Sequence, residues 1–345
     1  MVSCEESAEV LEFWEYNKTN LGPNFLQTAE CPPPEWLPLL IIAGVMWLAT
    51  LIVTLVSTSR FDSYRWSKTF IYVMTRRVLY YYVLYSLLNV FVILNAKGTL
   101  VYTYLGDVLE ALCFLNFYML IWSYTGGIEQ TMKKMIGLEL NLGQPPFCWL
   151  CCFPNIKISE RFLWWMEKLL QQLPGVQGIV GLIYATLVSS GVSATIFQHW
   201  ATTTLYIIMT VSFMFSMYAI GILFACLSQF VVERSIRAKF AVFKITIVLA
   251  KVQGIILSLC SSSVDTHGYY SKENRTDMWN AFIVCVECLV LSIVANFLYK
   301  KSDYDTGPLA PVRYKKDVDE IDELESGMEE VDLGKPSLVI QNPNI

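Results

Sequence analysis

Residues 36–57 read WLPLLIIAGVMWLATLIVTLVS, twenty-two positions without one charged side chain. A helix rises about 1.5 Å per residue, so about 20 such residues cross the hydrocarbon core of a bilayer. The stretch is too long for a strand and shows no alternation of apolar and polar positions. It reads as a transmembrane helix. Six further apolar runs follow, at about 78–95, 100–124, 176–197, 204–232, 240–260 and 279–299. The whole chain of 345 residues is 54% hydrophobic and 16% charged, less charge than soluble domains carry. Its mean hydropathy is +0.45. The expected fold class is all-α integral membrane, with seven transmembrane helices spanning 36–299. The third run is the weakest of the seven because it holds Asp107 and Glu110, and the fifth is long enough to tilt or to extend beyond the bilayer.

Loop charges orient the bundle. Residues 1–35 hold one Lys or Arg, 96–99 one, 198–203 none and 261–278 two. The opposite side holds five in 58–77, five in 125–175, three in 233–239 and six in 300–345. Basic residues collect on the cytosolic side, which predicts an outside amino terminus and a cytosolic carboxyl terminus. Both glycosylation sequons, at Asn17 and Asn274, fall on the outer side. Asn17 is the better acceptor, because Asn274 lies close to the seventh span.

The extracellular segment 1–35 is acidic and shows no cleavable leader, so the first span is expected to direct insertion. Cys4 and Cys31 both face the oxidising side, and two cysteines leave a disulfide between them open. The tail, 300–345, starts with basic pairs that suit a surface of anionic lipid. Residues 317–332 then carry nine acids and no base. The tail is expected to be cytosolic and disordered, with docking of a sorting partner as the alternative. No internal repeat is visible.

The cytosolic loop 125–175 contains FCWLCCFP at 147–154. A cytosolic location argues against a stable disulfide, and no histidine lies near enough to complete a zinc site. Thiols held at the bilayer surface by Phe147, Trp149, Leu150 and Phe153 make Cys148, Cys151 and Cys152 candidates for reversible acylation. After them, Ile158, Phe162, Trp165, Met166, Leu169, Leu170 and Leu173 share one helical face. This predicts an interfacial amphipathic helix leading into the fourth span, with packing of that face into a core as the alternative.

Charged residues within the runs are the candidate site. Lys244 lies about one turn from the cytosolic end of the sixth span and can snorkel out. Lys251 lies ~13 Å from the outer end by helix rise, Glu287 ~12 Å deep on the seventh span, and Glu110 and Asp107 ~15 and ~10 Å deep on the third. One cation and three carboxylates thus come to nearly one level, with Gln253 close by. A charge at mid-bilayer costs at least ~2.5 kcal/mol, so such groups face the bundle interior or a wet cavity and tend to pair. Depth leaves two readings open: an ion pair that fixes helix packing, or a polar cavity for a solute.

The sixth span carries Lys239-Phe240-Ala241-x-Phe243 with Gln253 ten residues on. With Gly126-Gly127, the cysteine cluster at 148–152, Tyr270-Ser271-Lys272, Glu287 and Tyr299-Lys300-Lys301, the chain resembles the organic solute transporter alpha-subunit family over most of 100–307. The cysteine run is shorter than that family's, and Lys251 stands where the family carries a small neutral residue. The resemblance implies a subunit of a facilitative carrier for amphipathic organic solutes: steroid conjugates, bile-acid-like anions and related lipids. It implies a single-span beta-type subunit in trans, or a homo-oligomer, and residence in the plasma membrane or endosomal membranes. More distant relatives imply the alternative of a trafficking or lipid-homeostasis protein without solute flux. A seven-helix receptor is the lesser alternative, because WSYTGG ends the third run and NFLYKK the seventh, in place of that class's motifs. No catalytic set, metal centre, cofactor or nucleic-acid partner is expected.

Overall fold

The computed structural model describes residues 32–66, 69–124, 136–137, 139–140, 156–189, 196–227, 236–260 and 270–300. Among them are seven long α-helices: α1 Trp36–Ser59, α2 Thr69–Leu94, α3 Thr99–Tyr124, α4 Glu160–Ser189, α5 Ile196–Leu227, α6 Ile236–Cys260 and α7 Lys272–Leu298. Five carry stretches long and apolar enough to cross a membrane: α1, α2, α3, α5 and α7. The chain is an all-helical, multi-pass membrane protein. The first and third runs match α1 and α3 closely. Elsewhere the helices begin before the apolar stretches, since a charged side chain ends hydropathy without ending backbone hydrogen bonding. Thus α2 begins before Arg76 and Arg77, and α7 takes in Lys272 and Arg275. The outer loop expected at 198–203 lies inside α5.

In α1, Thr50 and Ser57 return their hydroxyls to the carbonyls of Met46 and Val53, at 2.8 and 2.7 Å. This lets polar residues sit in an apolar helix without stranding a donor. Three links fasten α1. Trp36 Nε1 donates to the Ile93 carbonyl at the end of α2, at 2.8 Å. Glu35 pairs with Arg275 in the first turn of α7. At the other end, the Ser57 hydroxyl meets the Asn296 side-chain amide of α7 at 2.6 Å. The outward face of α1, including Ile41, Val45, Leu48 and Ile52, is exposed, as a helix surface in contact with lipid should be.

The helices α1, α2 and α7 pack against one another, and α2, α3, α4 and α5 follow side by side. One core cluster joins α1, α2 and α7 through Trp36, Ala43, Ile93, Ala281 and Cys285. A larger one runs through α2 to α7 around Phe114, Phe117, Tyr118 and Leu170.

The amphipathic stretch at 158–173 is the first half of α4, continuous through Pro174. Ile158, Met166, Leu170 and Leu173 are buried in the larger core, whereas Trp165 is 55% exposed. The expected interfacial helix is therefore a core helix: neighbours α3 and α5 take up its apolar face. A two-residue antiparallel ladder pairs Glu139 with Lys157 and Leu140 with Ile156. This ladder brings residues 140 and 156 together. Cys148, Cys151, Cys152, Asn17 and the 301–345 tail lie outside the described residues.

Candidate functional site

At the end of the bundle where α2 turns into α3, a cavity of about 420 Å³ opens between α2, α3, α5, α6 and α7. Its position follows from small and aromatic residues. A Cβ on Gly106 would lie 3.0 Å from Tyr85 Cε2, so glycine there lets the Tyr85 ring settle against α3. Gly254 on α6 has open space where its Cβ would be, and that space belongs to the cavity.

The walls are mixed. Tyr85, Tyr102 and Tyr206 supply ring surface, with Leu88, Val92 and Val284 between them. Tyr85 is held by stacking on Tyr81 at 5.3 Å, and Tyr102 by stacking on Phe91 at 5.7 Å. Polar groups come from Asn89 on α2, Thr103 and Asp107 on α3, and Asn280 on α7. Gln253 of α6 donates through Nε2 to the Asn280 side-chain oxygen at 2.9 Å and to the Asn280 carbonyl at 3.2 Å. A volume of this size with apolar walls and a few convergent polar groups is typical of small-molecule sites.

The charged residues of the sequence argument part company here. Asp107 is in the wall, and Gln253 buttresses it through Asn280. Glu110, one turn further along α3, is buried outside the lining, beside Tyr81 and Cys113. Glu287 is half-buried on α7, one turn past Val284. Lys251 precedes Gly254 on α6 by three residues; its side chain lies outside the described residues. Asn274 is 7% exposed within the first helical turn of α7.

Asn89, Asn280 and the three tyrosines carry no charge to mark them in the sequence. Their signal was present: an asparagine inside an apolar run is costly unless something meets it. That signal is weaker than the signal of a charge.

Toward the opposite end of the bundle, phenyl rings pack together. Phe117 of α3 stacks on Phe243 of α6 at 4.5 Å, and Phe224 of α5 stacks on Phe240 at 3.9 Å. Phe114 meets Phe243 and Phe213 edge-on at 4.9 and 5.7 Å. Beside this plug Lys239 is 2% exposed. Its ammonium lies 4.8 Å from the Tyr124 ring centre and 4.9 Å from that of Tyr299, and it donates to the Tyr124 hydroxyl at 3.3 Å. The sixth-span motif and the aromatic exit of the seventh thus meet in one contact.

Comparison with known proteins gives one family. A family model described as "Organic solute transporter Ostalpha" matches residues 39–304. The organic solute transporter subunit alpha of Bos taurus is 22% identical over 202 residues, covering 57% of this chain. The aligned part spans 59% of that protein's own length. No solved structure matches.

Proposed function

The chain belongs to the organic solute transporter alpha family, and from that premise we propose that it is a subunit of a facilitative carrier for amphipathic organic solutes. One observation carries the reading. A cavity with ring, aliphatic and polar walls opens at one end of the bundle, while phenylalanines stack between helices toward the other. A carrier needs a site reachable from one side while the path beyond is shut. The cavity would admit an amphipath with its rings on tyrosine faces. Passage would require α6 to part from α3 and α5 at the plug. The solutes proposed are steroid conjugates, bile-acid-like anions and related lipids. The partner proposed is a single-span subunit in trans, or a second copy of this chain. The proposed location is the plasma membrane or endosomal membranes.

The topology proposed is seven spans with the amino terminus outside and 300–345 in the cytosol. Glycosylation of Asn17 and acylation of Cys148, Cys151 and Cys152 belong to the same picture. An epitope at the carboxyl terminus should stain only permeabilised cells, and staining of intact cells sinks this orientation.

Uptake tests the carrier. Cells expressing the chain with a candidate single-span partner should accumulate a labelled steroid sulfate above partner-only controls. Gly254→Phe, which fills the cavity, should lower that uptake about tenfold or more at equal surface abundance. Uptake absent with every partner would favour a trafficking or lipid-homeostasis role.

A further inference from the structure

Two carboxamides in the cavity wall are each half engaged. Asn89 donates through Nδ2 to the Tyr85 carbonyl at 2.8 Å. Asn280 accepts from Gln253 through Oδ1. Main-chain carbonyls settle which end of each amide points where, because a carbonyl oxygen can only accept. Tyr85 O requires the nitrogen of Asn89. Asn280 O requires the nitrogen of Gln253, and that same nitrogen therefore meets the oxygen of Asn280. What remains uncommitted among the described residues is an acceptor, Asn89 Oδ1, and a donor, Asn280 Nδ2. They stand on α2 and α7 in walls otherwise made largely of tyrosine rings and aliphatic side chains.

We infer that this cavity selects an uncharged group that both donates and accepts a hydrogen bond, a hydroxyl above all, carried on a flat apolar ring system. An acceptor–donor pair complements a hydroxyl fully, a ketone at one point and a methylene at none. An anionic group would have to shed its water here with no Lys, Arg or His among the described lining residues to meet it. In a conjugated amphipath the hydroxylated ring end enters and the anionic end stays outside. Gln253 is a positioning residue, since it aims Asn280 without lining the cavity itself. The inference rests on the reading of the cavity as a solute site and names the part of the solute it recognises.

The experiment uses the full chain in lipid nanodiscs and equilibrium binding of four steroids that differ at one ring position: hydroxyl, ketone, methylene and sulfate. The hydroxyl compound should bind about five- to tenfold tighter than the methylene compound, with the ketone between them and the sulfate weakest. Asn89→Ala and Asn280→Ala should each erase most of the hydroxyl preference, read as the ratio of hydroxyl to methylene affinity. Thermal denaturation of each variant in the same nanodiscs reports that it is folded. Gln253→Glu removes the donor that faces Asn280 Oδ1, so Asn280 turns its nitrogen to the new carboxylate and its oxygen to the cavity. That variant should lose the ketone's advantage over methylene, which a general loosening of packing would not do selectively. Equal binding of hydroxyl and methylene compounds by the unaltered chain overturns the inference. So does a sulfate that binds as tightly as the hydroxyl. Uptake in cells separates this from the carrier reading. Selective binding without uptake counts against the carrier alone, and uptake indifferent to the hydroxyl and to both asparagines counts against this inference alone.

Discussion

On α3, Thr103 and Asp107 border an open cavity, and about three turns further along Phe117 lies flat on Phe243 at 4.5 Å. The same helices form both ends of the bundle. At one end uncharged amides, hydroxyls and a carboxylate meet across a gap. At the other, phenyl rings from α3, α5 and α6 fill it. Inside a membrane no hydrophobic force draws helices together, because lipid tails are as apolar as phenylalanine. Closure at the plug therefore rests on van der Waals packing and ring geometry, while openness at the cavity rests on small residues and on polar groups that do not collapse onto lipid. The difference teaches that opening and closing this bundle is a matter of side-chain fit more than of apolar content.

The boundary between the two ends gives the largest expected effect. The depth argument pairs Lys251 with Glu287. Lys251→Ala or Glu287→Ala should each destabilise by about 3–5 kcal/mol if the site is dry, because the remaining charge is stranded. The double change Lys251→Ala with Glu287→Gln should recover folding, measured as surface abundance and heat resistance in detergent. Singles whose costs simply add in the double mutant would disprove the pair, since contacting residues couple.

Next comes the plug. Phe243→Ala removes a ring that touches both Phe114 and Phe117 and should cost about 3 kcal/mol, the low end for buried Phe→Ala, because lipid removes part of the transfer term. If the plug is a gate, the same change should also raise leak of small hydrophilic dyes across proteoliposomes. A tight membrane with unchanged heat resistance would show that the rings seal nothing.

A smaller effect is expected at Lys239. Tyr124→Leu and Tyr299→Leu should each cost about 2 kcal/mol, the worth of a desolvated cation–ring contact. In a Lys239→Met background each should cost less than half of that. Equal costs in both backgrounds, read from thermal denaturation of the double-mutant cycle, would leave the tyrosines as plain packing.

The smallest effect concerns the lipid-facing side as a control on the comparison. Val45→Ala, on the exposed face of α1, should change stability by no more than about 0.5 kcal/mol and leave uptake unaltered. A marked loss of uptake there would place a partner against α1 and shift attention away from the cavity.

Much of this architecture was legible before any coordinates. Charge-free stretches such as 36–57 announce membrane helices because a bilayer admits no unsatisfied backbone. Asp107 was marked by the cost of a charge at that depth and Gln253 by its place in the sixth-span motif; the first lines the cavity and the second supports its wall. Other features were not legible. Run ends gave poor helix ends, because α7 is capped by Ser271, whose hydroxyl accepts from Asn274 N at 3.1 Å, eight residues before its apolar stretch begins. The face bearing Met166 and Leu170 is equally apolar whether it meets lipid or protein, so only its neighbours reveal which it meets.

The sequence by itself determined the solvent, the helical class and the depth of each polar group, since residue count times helix rise sets position along an axis. The tertiary structure decided azimuth: which side of each helix faces which neighbour. Asp107 and Glu110 are three residues apart on α3, yet one borders the cavity and the other is buried beside Tyr81 and Cys113. Asn89 and Asn280, 191 residues apart in the numbering, line one cavity. Rotation of a helix about its axis is set by packing against others. That information lies in contacts between distant residues and cannot be read along the chain.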